Sequence, residues 1–89
     1  MVRVFINGFG NIGRRLASAL AADKEFQFVG LSKYTPDERI KEALDHKFRV
    51  FVPEDNIIAF KDYQIAGTVK EAIQQSDIIV DAARDGLGY

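Results

Sequence analysis

The chain has 89 residues, no cysteine, one histidine and a formal net charge of −1. That length allows one domain, and a domain of this size buries only about 60–65% of its unfolded surface, so modest stability is expected. The charge gives no basis for binding nucleic acid or a membrane surface, and the lack of thiols excludes a disulfide framework, a thiolate metal site and a cysteine nucleophile among these residues.

The elements alternate along the chain. "VRVFIN" (Val2–Asn7) is short, β-branched and bounded by glycine, and reads as a strand. The next run places Ile12, Leu16, Ala19 and Leu20 at helical spacing, which predicts a helix from Asn11 to Ala22. "FQFVGLS" (Phe26–Ser32) is a second strand. A helix is then expected from Pro36 to about Asp45, with Thr35 as N-cap, Pro36 at the first helical position and Glu38 completing a T-x-x-E capping box. "FRVFV" (Phe48–Val52) is a third strand, stopped by Pro53. "DNIIAFKDY" suggests a short helical turn and "YQIAG" a short strand. Thr68 and Glu71 make a second capping box, opening a helix to about Gln75, and "DIIVDAA" (Asp77–Ala83) is the last strand.

Strands that alternate with helices pair in parallel, because each crossover uses a helix. The expected fold is therefore an α/β, Rossmann-like, doubly wound parallel sheet, partial in extent, with about four main strands and helices on both faces. In the strand order 3-2-1-4-5-6 the strand Asp77–Ala83 lies beside the first. Its free edge should expose Ile78, Ile79 and Val80 and favour self-association. No apolar stretch approaches the roughly 20 residues that cross a bilayer, and Val2 to Ile6 is too short for a signal peptide, so a cytoplasmic location is expected.

Gly8, Gly10 and Gly13 spell G-x-G-x-x-G between the first strand and the first helix, the setting in which the pattern carries meaning. Gly8 allows the tight turn, Gly10 lets a pyrophosphate approach the backbone, and Gly13 lets the helix pack on the strand. The helix N-terminus then offers N–H groups and a partial positive charge to phosphates. The acidic residue that would hold a ribose 2′-OH about 20 residues on is missing. The tip of the second strand carries Ser32, Lys33 and Tyr34 instead. A lysine there attracts a 2′-phosphate, which favours NADP over NAD or allows both. Of Arg14 and Arg15, one is expected to reach phosphate or solvent and the other to pair with a carboxylate. Asp37, Glu38, Glu42 and Asp45, interleaved with lysine, read as a solvated helix face, and His46 reads as a helix C-cap.

"VRVFINGFGNIGRR", "VGLSKYTPD" and "SDIIVDAARDGLG" together resemble the N-terminal part of archaeal-type glyceraldehyde-3-phosphate dehydrogenase. The resemblance covers the whole chain and about a quarter of a family member. It implies the dinucleotide-binding portion of a phosphorylating dehydrogenase that converts glyceraldehyde 3-phosphate, phosphate and NAD(P)⁺ to 1,3-bisphosphoglycerate and NAD(P)H, usually as a homotetramer. It also implies that Asn11 and Ile12 lie at the pyrophosphate, Lys33 near the adenosine 2′-phosphate with Ser32 and Tyr34 beside it, and Ala82 and Ala83 along the nucleotide. The family commonly has proline where this chain has Arg84, which alters the final loop. Its nucleophilic cysteine and base histidine lie beyond residue 89, so no catalytic residue is assigned here and activity of these residues alone is not expected. "RDGLGY" stops in mid-motif relative to the family, which suggests a truncated piece over a natural short product. A stand-alone nucleotide-sensing or protein-interaction module is the alternative. Other two-domain dehydrogenases, of the homoserine or aspartate-semialdehyde type, share the glycine pattern but not "INGFGNIGRR".

Overall fold

Val4, Phe5 and Ile6 follow one another without a polar break, and all three are buried. A strand reads this way when both faces of its sheet are covered. The computed structural model describes residues 1–82. Five strands, β1 (Val2–Asn7), β2 (Phe26–Ser32), β3 (Val50–Val52), β4 (Gly67–Thr68) and β5 (Ile78–Asp81), alternate with α1 (Asn11–Ala22), α2 (Glu38–Asp45), a 3₁₀ segment (Glu54–Phe60) and α3 (Val69–Gln75). All strand pairs are parallel, in the order β4-β3-β2-β1-β5. This is the expected Rossmann-like α/β arrangement, with the last strand beside the first and a two-residue β4 added outside β3.

The two faces have separate cores. Ile6, Leu31, Val50 and Val52 point to one side, where they meet Ala17 of α1, Ile40 and Ala43 of α2, and Phe60. Phe5, Val29 and Phe51 point to the other, against Ala72 and Val69 of α3. Phe5 and Phe51 pack edge to face, with ring centres 5.7 Å apart, a geometry favoured by the ring quadrupoles. The register of β1 on β2 shifts between Val4 and Phe5. On the other side of β1, Arg3 clamps the start of β5: its Nε and Nη2 donate to the Asp77 carboxylate at 3.2 and 3.0 Å, and its backbone N–H donates to the same group at 2.8 Å. The arginine hydrogen bonds hold the Asp77 carboxyl down at about 2.

Several element boundaries differ from the sequence expectation. Helix α2 begins at Glu38, because Asp37, not Thr35, is its N-cap: the Asp37 carboxylate accepts from the Arg39 N–H at 3.0 Å. At the other end His46 is the C-cap, as expected, but the turn continues through Lys47, whose φ is 63°. Lys47 N–H donates to Leu44 O at 2.9 Å and Phe48 N–H to Ala43 O at 3.0 Å. This is a Schellman closure with lysine where glycine is usual. It uses Phe48, so β3 starts at Val50. The strand expected over "YQIAG" shrinks to β4, although Ala66 N–H already donates to Val50 O at 2.7 Å. Thr68 and Glu71 form the expected capping box.

Among the described residues β5 is an edge strand, and Ile78 and Ile79 are 46% and 45% exposed, while Val80 is partly buried. No helix among the described residues is long and apolar enough to cross a membrane. Ala83, Arg84 and the rest of the final glycine-rich loop lie outside the described residues.

Candidate functional site

The strand order reverses at β1: β2, β3 and β4 lie on one side and β5 on the other. In open parallel sheets the crevice beyond the carboxyl ends of the strands at such a point is where ligands bind. The G-x-G-x-x-G turn sits there. Gly8, at φ 118°, turns the chain out of β1 in a conformation that L side chains rarely adopt. Gly13 is buried in α1, and a Cβ on it would stand 2.8 Å from the Gly8 carbonyl oxygen and 3.7 Å from the Ala82 Cβ. The turn and the helix therefore touch through backbone. Gly10 is different. It is the N-cap of α1, and a Cβ on it would meet nothing within 4 Å among the described residues. No side chain caps this end of the helix, so its first N–H groups face the open space with their partial positive charge.

That space is a pocket of about 600 Å³. The structure brings Gly8, Gly10, Asn11 and Ile12 from the turn together there with Ser32, Lys33 and Tyr34 from the tip of β2, and with Ala82 just beyond β5. Gly13 stands behind the wall and shapes the turn without lining the pocket. Ile12 and Tyr34, 56% and 47% exposed, put apolar surface at the mouth.

Asn7, which the sequence reading passed over, ties the two sides together. Its Oδ1 accepts from Ser32 Oγ at 2.8 Å and from Tyr34 OH at 2.6 Å. Ser32 is fully buried, and its Oγ also accepts from the Gly8 N–H at 2.8 Å. The glycine turn and the β2 tip are thus fixed to each other by satisfied polar groups. The only signal for Asn7 in the sequence is its place directly before Gly8.

Most of the charged side chains around the pocket are paired. Lys33 is only 8% exposed, and its Nζ lies 2.7 Å from Asp37 Oδ1. Burial pushes the Asp37 carboxyl up, but the hydrogen bond and charge of Lys33, with the Arg39 N–H, outweigh it and hold the group below its usual value. Asp37 and Arg39 also line the pocket, and Arg39 Nη2 donates to Asn11 Oδ1 at 3.1 Å. Arg14 pairs with Glu42, and Arg15 is exposed. The acidic face of α2 is therefore not simply solvated: Asp37 and Glu42 are both engaged. His46 stacks on Phe48 at 5.4 Å and borders a separate groove of about 500 Å³ with Arg14 and Glu42. Among the described residues there is no cluster of potential metal ligands.

The chain is 39% identical over 89 residues to glyceraldehyde-3-phosphate dehydrogenase of Hyperthermus butylicus, covering 98% of this chain and 26% of that protein. The enzyme of Thermoplasma volcanium is 40% identical over 91 residues, and that of Saccharolobus solfataricus 36% over 90, each covering 99% of this chain. The chain is homologous to part of the archaeal glyceraldehyde-3-phosphate dehydrogenases. It spans about a quarter of the length of the curated relatives it matches. No protein-family model matches it.

Proposed function

We propose that these residues form the nicotinamide-dinucleotide-binding portion of a glyceraldehyde-3-phosphate dehydrogenase. The observation that carries this reading is the uncapped N-terminus of α1 facing open space at Gly10, at the point where the strand order reverses. The residues present suit a dinucleotide. The N–H groups of Asn11 and Ile12 would hold the pyrophosphate, with Gly8 and Gly13 setting the turn. The tip of β2, Ser32 to Tyr34, would face the adenosine ribose, and Ala82 would lie alongside the nucleotide.

When bound, the nicotinamide supplies the hydride acceptor for oxidation of glyceraldehyde 3-phosphate in the full-length enzyme. The part of these residues is to bind and orient it. The hydrogen bonds among Asn7, Ser32 and Gly8 tie the turn to the β2 tip before any ligand arrives, so that less ordering would be needed on binding.

Gly10 gives a clean test, because an added Cβ has room in the folded chain but stands where a phosphate must approach. Gly10→Ala should lower stability by less than about 1 kcal/mol, the scale of an N-cap change. It should weaken NADP⁺ and NAD⁺ at least about tenfold in calorimetric titration. Wild-type chain that binds neither nucleotide, or Gly10→Ala that binds them as tightly as wild type, would sink the assignment.

A further inference from the structure

Among the described residues, three charged side chains line the pocket: Lys33, Asp37 and Arg39. Two of them cancel, since Lys33 Nζ and Asp37 Oδ1 form an ion pair at 2.7 Å. Arg39 is left. Its Nη2 donates to Asn11 Oδ1 at 3.1 Å, but its Nη1 is buried with no hydrogen-bond partner among the described residues. Buried donors are nearly always satisfied, most of all on a charged group, so this guanidinium has donor capacity that the described residues do not use. Arg39 as a whole is half-buried and borders the pocket.

We propose that Arg39, not Lys33, distinguishes a 2′-phosphorylated adenosine ribose from an unmodified one. The proposal rests on the dinucleotide reading above. Position supports it: Arg39 lies in the first turn of the helix that follows β2, and an arginine near the tip of the second strand is the usual partner of a 2′-phosphate in this kind of fold. Chemistry supports it as well. A guanidinium offers a planar fork that meets two phosphate oxygens at once and never loses its charge. The Lys33 ammonium could reach a phosphate only by leaving Asp37, and that would strand a charge in a nearly buried place. The Asn11 hydrogen bond also ties Arg39 to the first residue of α1, so the guanidinium sits between the glycine turn and the β2 tip.

The test is calorimetric titration of the wild-type chain, Arg39→Gln, Arg39→Lys and Lys33→Met with NADP⁺ and NAD⁺, with thermal unfolding of each. Arg39→Gln should lower NADP⁺ affinity at least about tenfold while NAD⁺ affinity stays within about twofold. Arg39→Lys, which keeps the charge and loses the fork, should fall between. Lys33→Met should be less stable but keep the wild-type ratio of the two nucleotides. Equal weakening of both nucleotides by Arg39→Gln would place the guanidinium at the pyrophosphate and overturn the proposal. So would a ratio that collapses in Lys33→Met and not in Arg39→Gln. Wild-type chain that binds neither nucleotide removes the dinucleotide reading and this inference together. Wild-type chain that binds both, with all three variants unchanged, removes this inference alone.

Discussion

The N-termini of α2 and α3 are built by different means. At α3, Thr68 Oγ1 accepts from the Glu71 N–H at 3.2 Å, and Glu71 Oε1 accepts from the Thr68 N–H at 2.8 Å. The arrangement closes within four residues. At α2, the Asp37 carboxylate accepts from the Arg39 N–H and at the same time pairs with Lys33 at 2.7 Å, while the Arg39 side chain reaches across to Asn11. That start is held by residues from the β2 tip and from α1. One helix end serves only its helix. The other joins the charges of the candidate pocket to the fold, so a substitution at α2 should register in both stability and binding, and one at α3 in stability alone.

The largest expected effect is at Asp37. Asp37→Ala removes an N-cap, at about 1 kcal/mol. It also leaves the nearly buried Lys33 ammonium without its partner. Because the Asp37 side chain is 48% exposed, water softens that second loss, and the total should be about 2 kcal/mol by chemical denaturation. Asp37→Asn keeps an acceptor for the cap and loses the pair, so it should fall about halfway. Acid separates the two in another way. Asp37 is held below its ordinary value of 3.8, and a depressed carboxylate contributes stability above its unfolded pKa that is lost as pH falls through the folded one. Wild type should therefore lose stability below about pH 4, and Asp37→Ala should lose less over the same range. Parallel acid limbs for the two would mean that the Lys33 pair does not form in solution.

Thr68→Ala comes next. It should cost about 1 kcal/mol, the usual worth of a threonine cap. Nucleotide affinity should be unchanged, because Thr68 and Glu71 stand apart from the pocket residues. A drop in affinity equal to that of Asp37→Ala would erase the distinction between the two helix ends.

The two starts also show what could be read from the residues and what could not. The glycine turn was legible because its geometry dictates residue type: φ 118° at Gly8 and a 2.8 Å approach at Gly13 leave no room for a side chain. The bounds of β1, α1 and β2 were legible from apolar spacing and flanking glycine, and the α3 box because all its partners are local. The start of α2 was not. Thr35 and Asp37 are both good caps, and the choice is made by Lys33, a residue fixed only once β2 is paired with β3. The direction of Lys33, committed to Asp37, and of Arg39, turned toward Asn11, depends on that same outcome. Lys47 in the left-handed region was hidden for a related reason. Nothing in "DHKF" marks a Schellman turn when the usual glycine is absent, and so the start of β3 was placed two residues early.

The smallest expected effect is the sharpest check on this account. Thr35 begins the other T-x-x-E signal, yet it contributes its carbonyl and not its hydroxyl: Asp37 N–H donates to Thr35 O at 3.0 Å, and the helix starts three residues on, at Glu38. A side chain that caps nothing and is exposed should be removable at little cost. Thr35→Ala should change stability by less than about 0.5 kcal/mol, the range of ordinary surface substitutions. The same exchange at Thr68, one helix away, should cost at least about twice that. If Thr35→Ala instead matches Thr68→Ala, the α2 box forms in solution, Asp37 is released from the cap, and the charge arrangement that singles out Arg39 has to be redrawn.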